Sequence, residues 1–146
     1  MNTLSLGWRT DLIFARFDGE VIARDGYTVV RTPSNPLFWW GNFLLFDGAP
    51  RAGDAARWLA LFKTEIVDPQ PQSRHLAFGV NAPQAFELPA DFAAAGLSLY
   101  ASTVLTLSRE RLRLPRAALD EAQFHVAVLA LPAQAEADRD RSDSRG

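Results

Sequence analysis

The chain has 146 residues, enough for one domain with a real core, and its 48% hydrophobic and 22% charged content is ordinary for a globular protein. A net charge of −2 argues against nucleic acid as a partner, because phosphate binding needs a concentrated positive field. With no cysteine there is no disulfide, thiolate zinc site or catalytic thiol, and no apolar run reaches the roughly 20 residues of a membrane span. The opening residues lack a basic stretch followed by an apolar one, so no signal peptide is expected and a cytoplasmic protein is the reading. Fourteen Arg against the single Lys63 suggest a GC-rich bacterial genome rather than a function.

In chain order, TDLIFARFDG predicts a short helix starting near Thr10 or Asp11, with Leu12, Phe14, Ala15 and Phe17 on its inner face and Asp18-Gly19 ending it. EVIARDGYTVVRT predicts a hairpin turning at Asp25-Gly26, a favoured two-residue turn. PSNP forbids continuous ladder pairing and marks an irregular connection. A strand is expected from about Phe38 to Phe46, in the stretch NPLFWWGNFLLF, where Gly41-Asn42 interrupts the most apolar run of the chain. DGAPRAGD is a turn-rich loop. AARWLALFKTEIV then places Ala55, Trp58, Leu59, Phe62 and Ile66 on one helical face, with Asp54 at the N-cap position.

DPQPQS stops that helix, RHLAFGV predicts a strand, LPADFAAAG a short helix with Gly96 at its C′ position, and LSLYASTVLTL a long strand. A turn and a helix after Pro115 and a last strand in FHVAVLAL complete the elements. From Pro132 the tail carries four acids and three arginines and nothing larger than alanine among its apolar residues, so 1–131 is expected to be the domain and 132–146 disordered. Strand–helix–strand–helix–strand over 38–107 implies right-handed crossovers and neighbouring parallel strands. With the antiparallel N-terminal hairpin before it, a mixed α/β (α+β) sheet is the expected fold class.

This order, and the local pattern RTPSNPLFWWGNFLLF with the GD loop and the helix holding Trp58 and Phe62, resembles the N-terminal half of bacterial two-domain proteins of the GNAT acetyltransferase superfamily, over about residues 8–107. The resemblance implies a central strand with a bulge, splayed from its parallel neighbour to form a V-shaped gap for acetyl-CoA. Glycine in a β-rich run suits such a bulge, and Asn42 supplies an amide for broken ladder partners. Asn35, Trp39, Trp40, Gly41 and Asn42 are then the candidates for a cleft or substrate-side wall. The alternative is a pair that shapes the sheet and touches no ligand.

The family holds the CoA pyrophosphate on Gln/Arg-x-x-Gly-x-Gly/Ala between that strand and the next helix. The corresponding loop here, Asp47 to Asp54, has Gly48, Arg51 and Gly53 but not that spacing, and Asp47 and Asp54 would repel a pyrophosphate. No cofactor is therefore expected. The resemblance implies a non-catalytic substrate-side or dimerisation half, with a homodimer or a GNAT-domain partner. The two alternatives are an active acetyl-CoA-dependent N-acetyltransferase with an atypical loop, and a small-molecule-binding module without acyl transfer. Tyr100 is the candidate general acid, against a tyrosine anchored at the core edge. Trp39 and Trp40 should face opposite sides, as core, interface or ligand platform. His75 and His125 lack acidic neighbours at metal-ligating spacing, so no metal is expected. Arg109, Arg111, Arg113 and Arg116 form a basic cluster near Glu110, Asp120 and Glu121, read as a solvated face.

Overall fold

A computed structural model describes residues 4–104 and 125–130. The expected tail at 132–146, the helix after Pro115 and the arginine cluster fall outside these residues. The elements run α1 (Leu6–Asp18), β1 (Glu20–Arg24), β2 (Tyr27–Arg31), β3 (Phe43–Phe46), α2 (Ala55–Phe62), β4 (Ala77–Val80), α3 (Ala90–Ala94), β5 (Ser98–Thr103) and β6 (His125–Ala130). The strands form one mixed sheet in the order β1-β2-β3-β4-β6-β5. β1 to β3 are antiparallel and β3 and β4 parallel, as the mixed α/β reading requires. β4 and β5 are not neighbours, however. β6 lies between them, antiparallel to both, a long-range insertion that no local pattern announces.

The hairpin turns where expected, with Arg24 opposite Tyr27 and Gly26 at φ +78°, a conformation that side chains with a Cβ rarely adopt. All four residues of β3 are buried because both faces of the sheet are covered. Val29, Leu44, Phe46, Phe78 and Val80 meet α2 and α3 on one face; Val30, Phe43, Leu45 and Ala77 meet α1 on the other. The first face is an aromatic core, in which Trp58 lies flat on Phe46, 3.5 Å between centroids and 5° between planes, with Phe78 and Phe92 edge-on to Trp58. At the end of α2 the chain widens into one π turn, Lys63–Val67. Glu65 on that turn receives the forked Arg24 guanidinium at 2.9 and 3.2 Å and the Tyr27 hydroxyl at 3.1 Å, tying helix to hairpin. The Arg24 hydrogen bond is the main reason the Glu65 carboxyl titrates below its ordinary range.

Two expectations change. The strand predicted over Phe38–Phe46 is β3 alone, and Trp39–Gly41 is a single 3-10 turn ahead of it. Pairing through β3 is regular on both sides, so Gly41-Asn42 shapes the entry to the strand and not a bulge within it. The first helix starts earlier than predicted, at Leu6, where the Ser5 hydroxyl accepts from the Trp8 N–H. Its inner face is Trp8 and Leu12 with half-buried Ala15, whereas Phe14 and Phe17 are 76% and 93% exposed. Trp8 sets this register: its indole N–H donates to the Val80 carbonyl at 3.2 Å and its ring lies on Gly79 of β4.

A Cβ at Gly79 would stand 2.6 Å from the Trp8 ring, which is itself 2% exposed and stacked on Phe43. Gly79→Ala should therefore cost about 1–3 kcal/mol by overpacking, and the cost should shrink in a Trp8→Leu background. Urea unfolding of the four-member cycle checks this, and purely additive effects would mean that the two residues do not meet.

Candidate functional site

Two regions were expected to matter: the Gly41-Asn42 interruption, and the loop between β3 and α2. The buried Asn42 amide has every hydrogen-bonding position engaged. Its oxygen accepts from the Thr32 N–H at 2.9 Å and from Gln70 Nε2 at 2.8 Å, and its NH2 donates to the carbonyls of Asn35 at 2.9 Å and Phe38 at 2.8 Å. Its backbone carbonyl faces His75 Nε2 at 2.9 Å. A carbonyl only accepts, so Nε2 carries a proton and donates it to this contact. Burial holds the His75 pKa below its ordinary 6.5, only partly offset by that hydrogen bond. Gly41 is glycine for lack of space: a Cβ would stand 2.6 Å from Thr32 Oγ1, which donates to the Gly41 carbonyl at 3.0 Å.

The other candidates on this stretch disperse. Trp39 stacks on His75 at 5.6 Å, Trp40 goes to the opposite side, edge-on to Phe43 at 6.2 Å, and Asn35 is exposed, contributing its carbonyl. The two tryptophans thus diverge as expected, through the 3-10 turn rather than strand alternation. Tyr100 is exposed on β5 at the sheet edge, separated from β3 by β6 and β4, and is not brought near Asn42. Among the described residues no three His, Cys, Asp or Glu groups gather as a metal site would require.

In the loop from Asp47 to Asp54 and at the first residue of α2, three backbone N–H groups are taken by two carboxylates. Asp54 Oδ2 accepts from the Arg51 N–H at 3.0 Å. Asp91, from the first turn of α3, brings Oδ2 to the Gly53 N–H at 3.0 Å and the Ala55 N–H at 3.1 Å. Asp54 occupies the N-cap position without capping α2, and its other oxygen pairs with Arg57 at 3.4 Å; the cap comes from Asp91 instead. Sequence reasoning missed Asp91 because an acid in the first turn after a proline reads as support for its own helix. Gly48, Arg51 and Asp54 also line a cavity of about 230 Å³ whose wall is Trp58. Beyond the strand ends β3 and β4 stay joined, the Asn81 N–H donating to the Phe46 carbonyl at 2.8 Å, so they do not diverge there.

A larger trough of about 810 Å³ lies along α1, with Trp8 and Phe43 among its floor residues and Phe14, Phe38 and Trp40 among its walls. Asp11 and Asp18 line it, and among the described residues no basic side chain does. Partial burial raises the Asp11 pKa, while Asp18 accepts from the Ser34 hydroxyl at 2.9 Å. Sequence reasoning assigned Phe14 to the core and so hid this trough.

Asn42→Leu strips partners from two donors and two carbonyls, and should lower stability by at least about 3 kcal/mol in urea unfolding; a loss under 1 kcal/mol would rule out the amide as a structural node. Histidine 75 gives a pH signature. Its folded pKa is lowered, so below 6.5 the unfolded chain takes up the proton first and stability falls as pH drops. The slope of stability between about pH 7 and pH 5 should flatten in His75→Gln, and equal slopes would show that the ring titrates alike in both states.

No protein-family model, no curated protein sequence and no solved structure matches the chain, and no helix among the described residues is long and apolar enough to cross a membrane.

Proposed function

We propose that the chain is a cytoplasmic domain of acetyltransferase-like, GNAT-type architecture that acts by association with a partner and not by acyl transfer. Its architecture supports the resemblance in three respects: an antiparallel hairpin, a central strand parallel to the next, and a helix connecting that parallel pair. The observation that carries the non-catalytic reading is the engagement of these backbone N–H groups at the start of α2. The N–H groups of Arg51, Gly53 and Ala55, which such a fold would offer to a pyrophosphate, are held by the carboxylates of Asp54 and Asp91. A bound pyrophosphate would have to displace both while facing their charge. The engaged Asn42 amide also offers nothing to an acyl group, and Tyr100 lies too far along the sheet to serve a leaving thiolate beside it. The exposed aromatic side chains around α1 supply the surface that association needs.

Acetyl-CoA at millimolar concentration should leave the unfolding temperature unchanged and give no calorimetric heat above dilution. Saturation at 100 times a dissociation constant adds about 2.7 kcal/mol, several degrees for a domain of this size. A saturable shift of that order would overturn the reading.

A further inference from the structure

Helix α1 spends only one side on the core. At 3.6 residues per turn, Leu6, Thr10, Ile13 and Phe17 lie in one line on its outer side, spaced four, three and four apart as in a coiled-coil seam. Leu6, Ile13 and Phe17 are all large, apolar and exposed, at 41%, 62% and 93%. Arg9 and Arg16 flank this line about 80° to one side, and Asp11 and Asp18 about 120° to the other, each pair seven residues apart. The side chains of Arg9, Arg16 and Asp11 have no hydrogen-bond or ion-pair partner among the described residues. The acidic flank opens on the trough, whose aromatic walls and two aspartates suit a guanidinium.

We propose that a second copy of this chain covers this face, the two α1 helices packing parallel about a two-fold axis that runs along them. The inference rests on reading the chain as an interaction half, and it names the partner. The symmetry decides the orientation. With the axis parallel to the helices, each flank meets the opposite flank of the mate at the same height. Arg9 then meets Asp11 and Arg16 meets Asp18, on both sides, each offset by two residues or about 3 Å along the axis, within the reach of an arginine side chain. An antiparallel pair needs the axis perpendicular to the helices, and like flanks then meet: arginine beside arginine, aspartate beside aspartate. The charge pattern therefore favours the parallel pair and opposes the antiparallel one. It also fits a two-fold contact, where one patch must complement itself. The partner's arginines enter the trough between Asp11, Asp18 and the exposed Trp40.

Light scattering at about 100 μM should give twice the 16.1 kDa chain mass. Asp11→Arg with Asp18→Arg makes both flanks basic, and Arg9→Asp with Arg16→Asp makes both acidic. Each double variant should weaken self-association at least tenfold, about 1.4 kcal/mol, and an equimolar mixture should dimerise again. Because the chain has no native cysteine, Thr10→Cys tests orientation cleanly. In a parallel pair it meets its own copy across the axis and should form an interchain disulfide on mild oxidation, with a native circular dichroism spectrum. A monomeric wild type, self-association unaffected by the reversals, or no cross-link from Thr10→Cys each overturns the proposal. The outcomes separate from the functional reading: a saturable acetyl-CoA response sinks that reading with the dimer intact, whereas a monomer that ignores acetyl-CoA sinks only the dimer.

Discussion

The side-chain amide of Asn42 is the constraint on which the centre of the molecule depends. Its four hydrogen bonds join the end of β2 through Thr32, the irregular segment through Asn35 and Phe38, and the chain after the π turn through Gln70. These segments leave the sheet or the helix with backbone groups that no ladder can satisfy, and all converge where β3 begins. Only a group with two donors and two acceptors at one tip answers that need. A carboxylate would face the Asn35 and Phe38 carbonyls with charge, and an aliphatic side chain would leave four polar groups dry. Gly41 follows from the same node, because the Thr32 hydroxyl bonds its carbonyl where a Cβ would stand. The break in the most apolar stretch of the chain is the polar joint that lets Phe43–Phe46 enter the core between two covered faces.

From β3 the two sides of the sheet diverge in character. On the α2 side the packing is aromatic and closed, with Phe46 flat against Trp58, Phe78 and Phe92 set edge-on to that pair, and Phe62 edge-on to Phe78. On the α1 side one tryptophan does most of the anchoring, pinned to Val80 by its indole N–H and to Gly79 by its ring. A helix held by so narrow a stripe leaves much of its circumference exposed. The apolar residues there, Ile13, Phe14 and Phe17, contribute nothing to the monomer's core.

How legible this was in the sequence depended on the range of each signal. The Asp25-Gly26 hairpin, the helix bearing Trp58 and Phe62, and Gly96 after α3 are local signals, and each appears where read. The first helix was located but turned the wrong way: Phe14 and Phe17 look like core residues at helical spacing, and only the packing of Trp8 on Gly79, across about 70 residues of chain, shows that they are not. The capping of α2 by Asp91 is equally non-local, with Asp54 sitting at the position that local rules favour. The insertion of β6 between β4 and β5 leaves no local trace, since a buried antiparallel strand and a parallel one share the same apolar run. For the candidate sites, the lack of a phosphate-binding spacing and the acid at Asp54 were readable from the order of residues, but the second carboxylate, Asp91 from α3, was not.

The distribution of acids then explains how the two ends of the molecule differ. At the start of α2, one oxygen each of Asp54 and Asp91 accepts from backbone N–H groups and the other Asp54 oxygen pairs with Arg57, so these acids serve the fold's own loop and helix end. Along α1, Asp11 and Asp18 stand beside exposed aromatics, with Arg9 and Arg16 on the far flank and the apolar line between. Exposed ion pairs contribute only about 0–1 kcal/mol each, so charges of this kind decide which arrangement forms and not how tightly. Strength has to come from area. Fully burying side chains the size of Leu6, Ile13 and Phe17 is worth about 1.5–3 kcal/mol apiece, against an association cost of at least about 4 kcal/mol. The apolar line can supply that surplus only if the helices meet along their length, and the charged flanks select the one symmetric way in which they can.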